Sequence, residues 1–294
     1  MKLFLYGHKL RDQNDLSYIK LLCETVEGIG GTIYIYGPFL TEILLWDSAY
    51  KLYPTLNNYD ALKNENPTAV LTLGGDGTIL HVITLVQDSG IPILGINLGR
   101  LGFLASVEKT IIKKAITKLQ KNDYSIVSRS LLSIQCNIPV FEEFPFALND
   151  FTLNKRDTSS MITIHTFIDG VLLNSYWADG LIISTPTGST GYSLSCGGPI
   201  VFPDSKAIVI TPVAPHNLNV RPIVIPDSHK ITVRVEARTE SFMCTLDSRY
   251  ETVTQDHHIE ICKGDFNINF VQLKGHTFMK TISEKLMWGL DKRN

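Results

Sequence analysis

The residues with the most chemical content lie in the run Leu73-Gly74-Gly75-Asp76-Gly77-Thr78, which follows an apolar segment and precedes an amphipathic one. Three glycines let backbone approach a ligand closely and permit φ > 0, while free N–H groups at the start of the next helix attract phosphate oxygens. Gly74, Gly75, Gly77 and Thr78 therefore form a candidate phosphate cradle. The run is neither a Walker A sequence nor G-x-G-x-x-G, because no Lys-Ser/Thr and no correctly spaced third glycine follows. Asp76 is out of place in a simple anion site, since a carboxylate repels phosphate unless it holds a metal or takes a proton. The same residues also fit a tight turn in which Asp76 caps the following helix.

A second run, from Ala178-Asp179-Gly180 through Ser184-Thr185-Pro186-Thr187-Gly188-Ser189-Thr190-Gly191-Tyr192-Ser193 to Gly197-Gly198-Pro199, crowds hydroxyls and glycines together. It can present donors and acceptors to a polar ligand, with Tyr192 available to stack, or it is a solvated turn region. The glycines near Ser189 lack the spacing of a nucleophile elbow, so Ser189 is not assigned as a nucleophile. The third candidate is Leu148-Asn149-Asp150: Asn149 can read a base or sugar hydroxyl and Asp150 a ribose diol, although Asn-Asp pairs are also common in turns. His216, alone in a Pro-rich loop, is read as structural. Zinc-type ligand spacing is absent, because His257 and His258 are adjacent and no C-x-x-C occurs. Any metal is expected to arrive with a nucleotide.

Two kinds of frame must hold these runs. In the first part strand-like and helix-like segments alternate: Lys2 to Tyr6, a helix with Leu16, Ile19, Leu22, Cys23 and Val26 on one face, and Thr32 to Tyr36. A helix over Thr41 to Tyr50, the apolar Ala69 to Leu73, an amphipathic Ile79 to Val86, a strand from Pro92 to Ile96 and a helix over Val107 to Gln120 continue the pattern. Short apolar strands between helices predict a parallel sheet covered on both faces. From about Ser125 the period becomes two: Leu131 to Gln135, Met161 to Ile168, Lys230 to Val235 and Ile259 to Cys262 predict half-buried strands, with turns at Asp169-Gly170 and Lys263-Gly264-Asp265. Residues 1–124 are expected to form an α/β domain and 125–273 a mainly antiparallel, all-β domain. A last helix over Thr277 to Trp288, within 274–294, is expected to return to the first domain.

The 294 residues are 44% hydrophobic and 19% charged, which suits a compact protein with a sizeable core. A net charge of −2 supplies no global field to hold nucleic acid or an anionic membrane. Apolar runs fall far short of the ~20 residues of a spanning helix, and the opening apolar stretch is too short for a secretory signal. Five scattered cysteines, odd in number, predict reduced thiols. A cytoplasmic protein engaging neither nucleic acid nor membrane is expected.

In their order along the chain these segments resemble the NAD kinase family, over most of its length. Gly74 to Thr78 is similar to the family's glycine-rich motif. It is followed by Gly99-Arg100-Leu101-Gly102-Phe103-Leu104, by Asn149-Asp150, by the Asp179-to-Pro199 segment and by Thr211-Pro212-Val213-Ala214-Pro215-His216 with Arg221-Pro222. The first motif is shared with diacylglycerol and sphingosine kinases and with phosphofructokinases, whereas the long segment is highly specific. The resemblance implies a Rossmann-like first domain and phosphorylation of the adenosine ribose 2′-hydroxyl of NAD by ATP, giving NADP and ADP. It implies Asp76 as the catalytic residue, acting as general base or orienting group. Asp76, Gly77 and Phe103 would face NAD from the first domain; Asn149, Asp150, Asp179, Thr190, Gly191, Tyr192 and Ser195 would face it from the second. Gly74, Gly75, Gly77 and Thr78 would hold ATP phosphates, with Mg²⁺ or another divalent cation bridging phosphates rather than occupying a protein cage. A homodimer or homotetramer is also implied.

Asp150 stands where the family commonly has Glu, Gly191 where Ala is usual, Trp177 where Arg is frequent, and Arg100 where a neutral residue is more usual. A lipid kinase of the diacylglycerol type is the alternative enzyme, opposed by the second segment and by the absence of a basic amphipathic stretch for membrane docking. A non-catalytic NAD-binding regulator is the alternative outside catalysis, opposed by the presence of Asp76.

Overall fold

In the computed structural model β1 (Lys2–Gly7), α1 (Gln13–Gly28), β2 (Thr32–Tyr36), α2 (Gly37–Leu44), β3 (Thr55–Leu56), α3 (Tyr59–Glu65), β4 (Ala69–Leu73), α4 (Asp76–Val86), β5 (Ile93–Asn97), β6 (Val107–Glu108) and α5 (Ile112–Gln120) follow one another. The described residues are 1–99, 102–156, 161–237, 241–275 and 277–288. β4 and β5 are buried along their whole length, which their continuous apolar sequences require of strands covered on both faces. β1 pairs in parallel with β2 and β4, β4 with β5, and β2 with β3. The resulting order, β3-β2-β1-β4-β5, reverses direction between β1 and β4. In doubly wound sheets ligands bind at the carboxyl ends of the strands flanking such a reversal.

Two helices differ from expectation at their ends. Instead of one helix over Thr41 to Tyr50, α2 begins at Gly37 with Pro38 in its first turn and stops at Leu44, and Ser48–Leu52 forms a separate 3-10 turn. The Asp47 carboxylate accepts the Ala49 N–H at 2.9 Å, which restarts the chain rather than continuing the helix. Val107 does not open a helix either: it pairs in parallel with Ile96, and α5 starts only at Ile112. Asn58, whose side chain accepts the Ala61 N–H, caps the unanticipated α3.

The chain divides into two units, Met1–Ser128 together with the chain from Ile268 onward, and Arg129–Asn267. β7 (Tyr124–Cys136) enters the second unit, followed by β8 (Phe146–Ala147), β9 (Asp150–Lys155), β10 (Ile162–Ile168), β11 (Val171–Ala178), β12 (Gly180–Ser184), α6 (Tyr192–Ser195), β13 (Ala207–Val213), β14 (Ile223–Pro226), β15 (Ile231–Glu236), β16 (Phe242–Leu246), β17 (Arg249–Val253) and β18 (Ile259–Leu273). One antiparallel sheet runs β14-β13-β12-β9-β16-β17, and a second set pairs β11-β10-β15-β18, also antiparallel. Phe151, Ile183, Ile210 and Phe242 of the first meet Ile162, Ile164, Val233 and Ile261 of the second in one core.

Asp169 and Gly170, at φ 50° and 83°, turn β10 into β11 as their sequence predicts. Lys263-Gly264-Asp265 does not turn, and β18 runs straight through it. A Cβ on Gly264 would lie 3.1 Å from Leu131 Cβ and 3.4 Å from Phe146 Cδ1, so this glycine serves close packing rather than chain reversal. α7 (Phe278–Leu286) closes the described chain, capped by Thr277 Oγ1 and burying Ile282. Among the described residues no helix is long and apolar enough to cross a membrane.

Candidate functional site

The glycine-rich turn leaves the carboxyl end of β4, beside the reversal in strand order. Gly74 donates its N–H to Ile96 O at 3.0 Å and has φ +153°, in a region where a Cβ would also run into the Thr78 side chain. α4 opens at Asp76 with Gly75 as its N-cap residue, so Asp76 is a first-turn residue and not the cap. Among the described residues, chain neighbours and the helix's own backbone aside, no atom lies within 4 Å of where a Cβ would stand on Gly75 or Gly77. Open space beside the N–H groups of a helix start is the condition for anion approach.

The Asp76 carboxylate is held by the loop that follows β5. Its Oδ2 accepts the Phe103 N–H at 2.8 Å, and its Oδ1 accepts Leu104 and Ala105 N–H at 3.0 and 2.9 Å. A Cβ on Gly102 would stand 2.5 Å from Asp76 Cγ, so only glycine admits the carboxylate this close. Asp76 and Phe103 are thereby brought together. Arg100, read as an added positive charge, lies outside the described residues, as does Leu101. Four further side chains carried no spacing signal. His8 follows β1 and meets His81 of α4 edge-on, with ring centroids 4.9 Å apart. Arg11 pairs with buried Asp15 at 2.9 Å and donates to Leu98 O at 2.8 Å, fixing the end of β5.

In the second unit Asn149 and Asp150 stand where β9 begins. Asp247, at the tip of the β16–β17 hairpin, accepts the Leu148, Asn149 and Asp150 N–H groups at 2.8, 2.7 and 3.2 Å. Burial, and then the Asp247 charge, raise the Asp150 pKa to about 7. Burial also pushes the Asp247 carboxyl up, opposed by those three N–H groups and by Arg249. A Cβ on Gly188 would stand 2.7 Å from Asn149 Cα, so the polar segment lies directly on this backbone. A methyl on Gly191 would lie 3.8 Å from Asp150 Oδ2 and 3.9 Å from Asn149 Nδ2, which joins Asn149, Asp150 and Gly191 in one place.

Most hydroxyls of the 184–193 segment are committed to the protein rather than offered outward. Thr185 Oγ1 donates to Leu148 O at 2.6 Å, Thr190 Oγ1 to Thr187 O at 3.1 Å, and Ser193 Oγ bonds Thr211 Oγ1 at 2.8 Å. Ser189 is fully buried, donating to Pro186 O at 2.7 Å and accepting Val201 N–H at 3.0 Å. What remains outward is Tyr192, 43% exposed, with Ser195 exposed on α6. Burial raises the Tyr192 pKa, with Cys196, Asp150 and Asp179 adding to the effect. Asp179 pairs with Lys155 at 2.6 Å, a partner the sequence did not announce. Trp177 packs against His216, centroids 5.0 Å apart.

A glycine turn with open space at Gly75 and Gly77, beside a carboxylate fixed as an acceptor, fits the class of nucleotide phosphotransferases. Comparison with known proteins narrows this class to one family: the chain belongs to the NAD kinases. The ATP-NAD kinase N-terminal domain matches residues 40–124 and the ATP-NAD kinase C-terminal domain residues 148–273. The NAD kinase of Flavobacterium johnsoniae is 45% identical over 296 residues, covering 100% of both chains. Yeast NADH kinase complexed with NADH shares the fold with a TM-score of 0.84 at 23% identity, over 98% of this chain and 88% of that one. An NAD kinase from Archaeoglobus fulgidus in complex with ATP gives 0.76 at 24%, over 98% and 99%. The activity is that of an NAD kinase, phosphoryl transfer to an alcohol acceptor, and nothing supports a lipid kinase or a non-catalytic regulator.

Proposed function

We propose that the protein transfers the γ-phosphoryl group of ATP to the 2′-hydroxyl of the adenosine ribose of NAD, with Asp76 at that hydroxyl. The observation that carries this reading is the Asp76 carboxylate, held by three N–H groups beside an open glycine turn. A carboxylate has roughly four acceptor sites, so one on Oδ2 is left for the proton of an alcohol. The ribose oxygen attacks the γ-phosphorus, the bond to the ADP oxygen breaks, and the proton passes to Oδ2 and on to solvent. Most of the rate then comes from positioning and charge stabilisation.

Gly74, Gly75, Gly77 and Thr78 take the ATP phosphates, and Gly77 and Phe103 face the ribose. Asn149 and Asp150 hold the adenosine portion, and Asp179, Thr190, Gly191, Tyr192 and Ser195 complete the NAD contacts. The ligands bound in the fold relatives, NADH in the yeast enzyme and ATP in the archaeal one, support both halves of this reading. The cation enters as part of the substrate, Mg²⁺ on ATP. Asp76 already takes three N–H groups, and among the described residues no group of three His, Cys, Asp or Glu could hold a metal.

Residues 1–124 thus handle phosphate and 125–273 the dinucleotide, with the 274–294 segment, which carries α7, belonging to the first part. Val171, Leu172 and Trp177 on the edge strand β11 are 72%, 53% and 50% exposed, which supports a homodimer or homotetramer. Five unpaired thiols suit the cytoplasm, and the ligands are small molecules rather than nucleic acid or membrane. The test is a coupled assay with NAD, ATP and Mg²⁺, reading NADP through an NADP-specific dehydrogenase and ADP in parallel. NADP forming in step with ADP is expected, and Asp76→Asn should lower turnover by about 10²–10⁴-fold while NAD still binds. A folded protein that binds NAD yet forms neither product, with ATP or with polyphosphate, overturns the reading.

A further inference from the structure

We propose that Asp247 is a positioning residue for the reaction: its carboxylate sets the Asn149–Asp150 pair and through it the affinity for NAD. The inference rests on the reading above that this pair binds the dinucleotide.

Asp247 and Ser248 form the two-residue tip between β16 and β17, closed by the pair Leu246 and Arg249. β16 also pairs with β9, Leu246 opposite Phe151, so the tip meets the residues where β9 begins. Asp247 makes four bonds to three consecutive residues. Its Oδ2 accepts Leu148 N–H, its Oδ1 accepts Asn149 and Asp150 N–H, and its own N–H donates to Asp150 O at 2.9 Å. Arg249, two residues on, donates to the carbonyls of Phe144 and Phe146. An acceptor and a donor from one hairpin thus take the N–H groups after Ala147 and the carbonyls before it.

The opposite side of the segment is fixed as well. Thr185 donates its N–H to Asn149 O at 2.9 Å and its hydroxyl to Leu148 O. The backbone of Leu148–Asp150 is therefore committed on both sides, whereas the Asn149 and Asp150 side chains make no hydrogen bond among the described residues. Both lie beside Gly191. A rigid backbone carrying two uncommitted polar side chains is the arrangement of a preorganised recognition pair. Only an acceptor-only group can meet three N–H donors at once, so an amide at position 247 would turn a donor against one of them.

The test is steady-state kinetics of the full chain with NAD and ATP varied separately, in Asp247→Asn, Asn149→Ala and the double variant. D247N is expected to raise KM for NAD by about tenfold or more while KM for ATP moves less than about twofold. The double variant should be little worse than D247N alone, because both changes disable one element. Thr245→Val, which removes the Thr152–Thr245 hydroxyl bond of 2.6 Å in the same strands, should lower the melting temperature without moving KM for NAD. If D247N does not fold, Arg249→Lys, which loses the two-carbonyl fork, makes the same comparison. An unchanged KM for NAD in N149A refutes the binding role of the pair. A raised KM in N149A with none in D247N, effects that multiply in the double variant, or an equal rise in T245V overturns the positioning role alone.

Discussion

Replacing Asp150 with Asn keeps the shape of the side chain and removes its titration. Asp150 is only 7% exposed, and its pKa is raised to about 7 where the usual carboxylate value is 3.8. Between those two values the folded protein holds a proton that the unfolded chain releases, so stability falls as pH rises. The contribution is fully present below about pH 4 and is lost as pH passes through about 7, at which point the native carboxylate is ionised as well. At about 1.4 kcal/mol per unit, the whole shift corresponds to at most about 4 kcal/mol. Asp150→Asn lacks this dependence. Its stability relative to the parent chain should be near zero at about pH 4, grow by about 1.4 kcal/mol per unit, and level off near 4 kcal/mol above about pH 7. Urea unfolding followed by circular dichroism at fixed pH values measures the difference, in which all other titrations cancel. A difference that stays flat from about pH 4.5 to 8 would refute the claim that desolvation holds the proton on Asp150.

Gly102→Ala should push the 102–105 loop off Asp76, lowering kcat by about tenfold or more and the melting temperature by several degrees; assay and calorimetry check both. Ser189→Ala should leave kcat unchanged and cost about 1–3 kcal/mol in denaturant unfolding, because the Val201 N–H loses its acceptor. Lys155→Met frees the Asp179 carboxylate from an ion pair worth about 1 kcal/mol, so calorimetric NAD affinity should fall by roughly fivefold or less.

The parallel sheet was legible because strands buried on both faces must be apolar throughout, and Ala69–Leu73 and Ile93–Ile96 say so directly. Helix ends were less legible, since they depend on single side chains such as Asp47, whose capture of the Ala49 N–H competes with periodicity. Gly264 misled in the same way: a glycine flanked by charges resembles a turn, and only the approach of Leu131 reveals a packing glycine. The candidate site shows a similar division. The glycine turn and Asn149-Asp150 are local in sequence, and their chemistry is carried by residue type. Asp247 lies about a hundred residues from the groups it holds, within a Leu-Asp-Ser-Arg stretch that resembles any hairpin tip.

Asp76 and Asp247 use one device in two units. Each carboxylate accepts three consecutive N–H groups, Phe103 to Ala105 in one case and Leu148 to Asp150 in the other. Each held segment also lies where a missing Cβ permits close approach, at Gly102 and at Gly188. Charge-assisted bonds of this kind are worth about 1.5–3 kcal/mol each, enough to fix the loop after β5 and the entry to β9. The consequence for Asp76 is that scaffold and chemistry share one side chain. Asp76→Asn therefore disturbs the loop as well as the acceptor for the alcohol proton, and its lost turnover does not by itself identify a base. Gly102→Ala gives a second comparison, because it keeps the carboxylate group but sets a Cβ against it, so that carboxylate and loop must move apart. If G102A retains kcat while D76N loses it, the role of Asp76 is chemical. If both fall alike, the fixed contact between Asp76 and the loop carrying Phe103 is what the reaction needs.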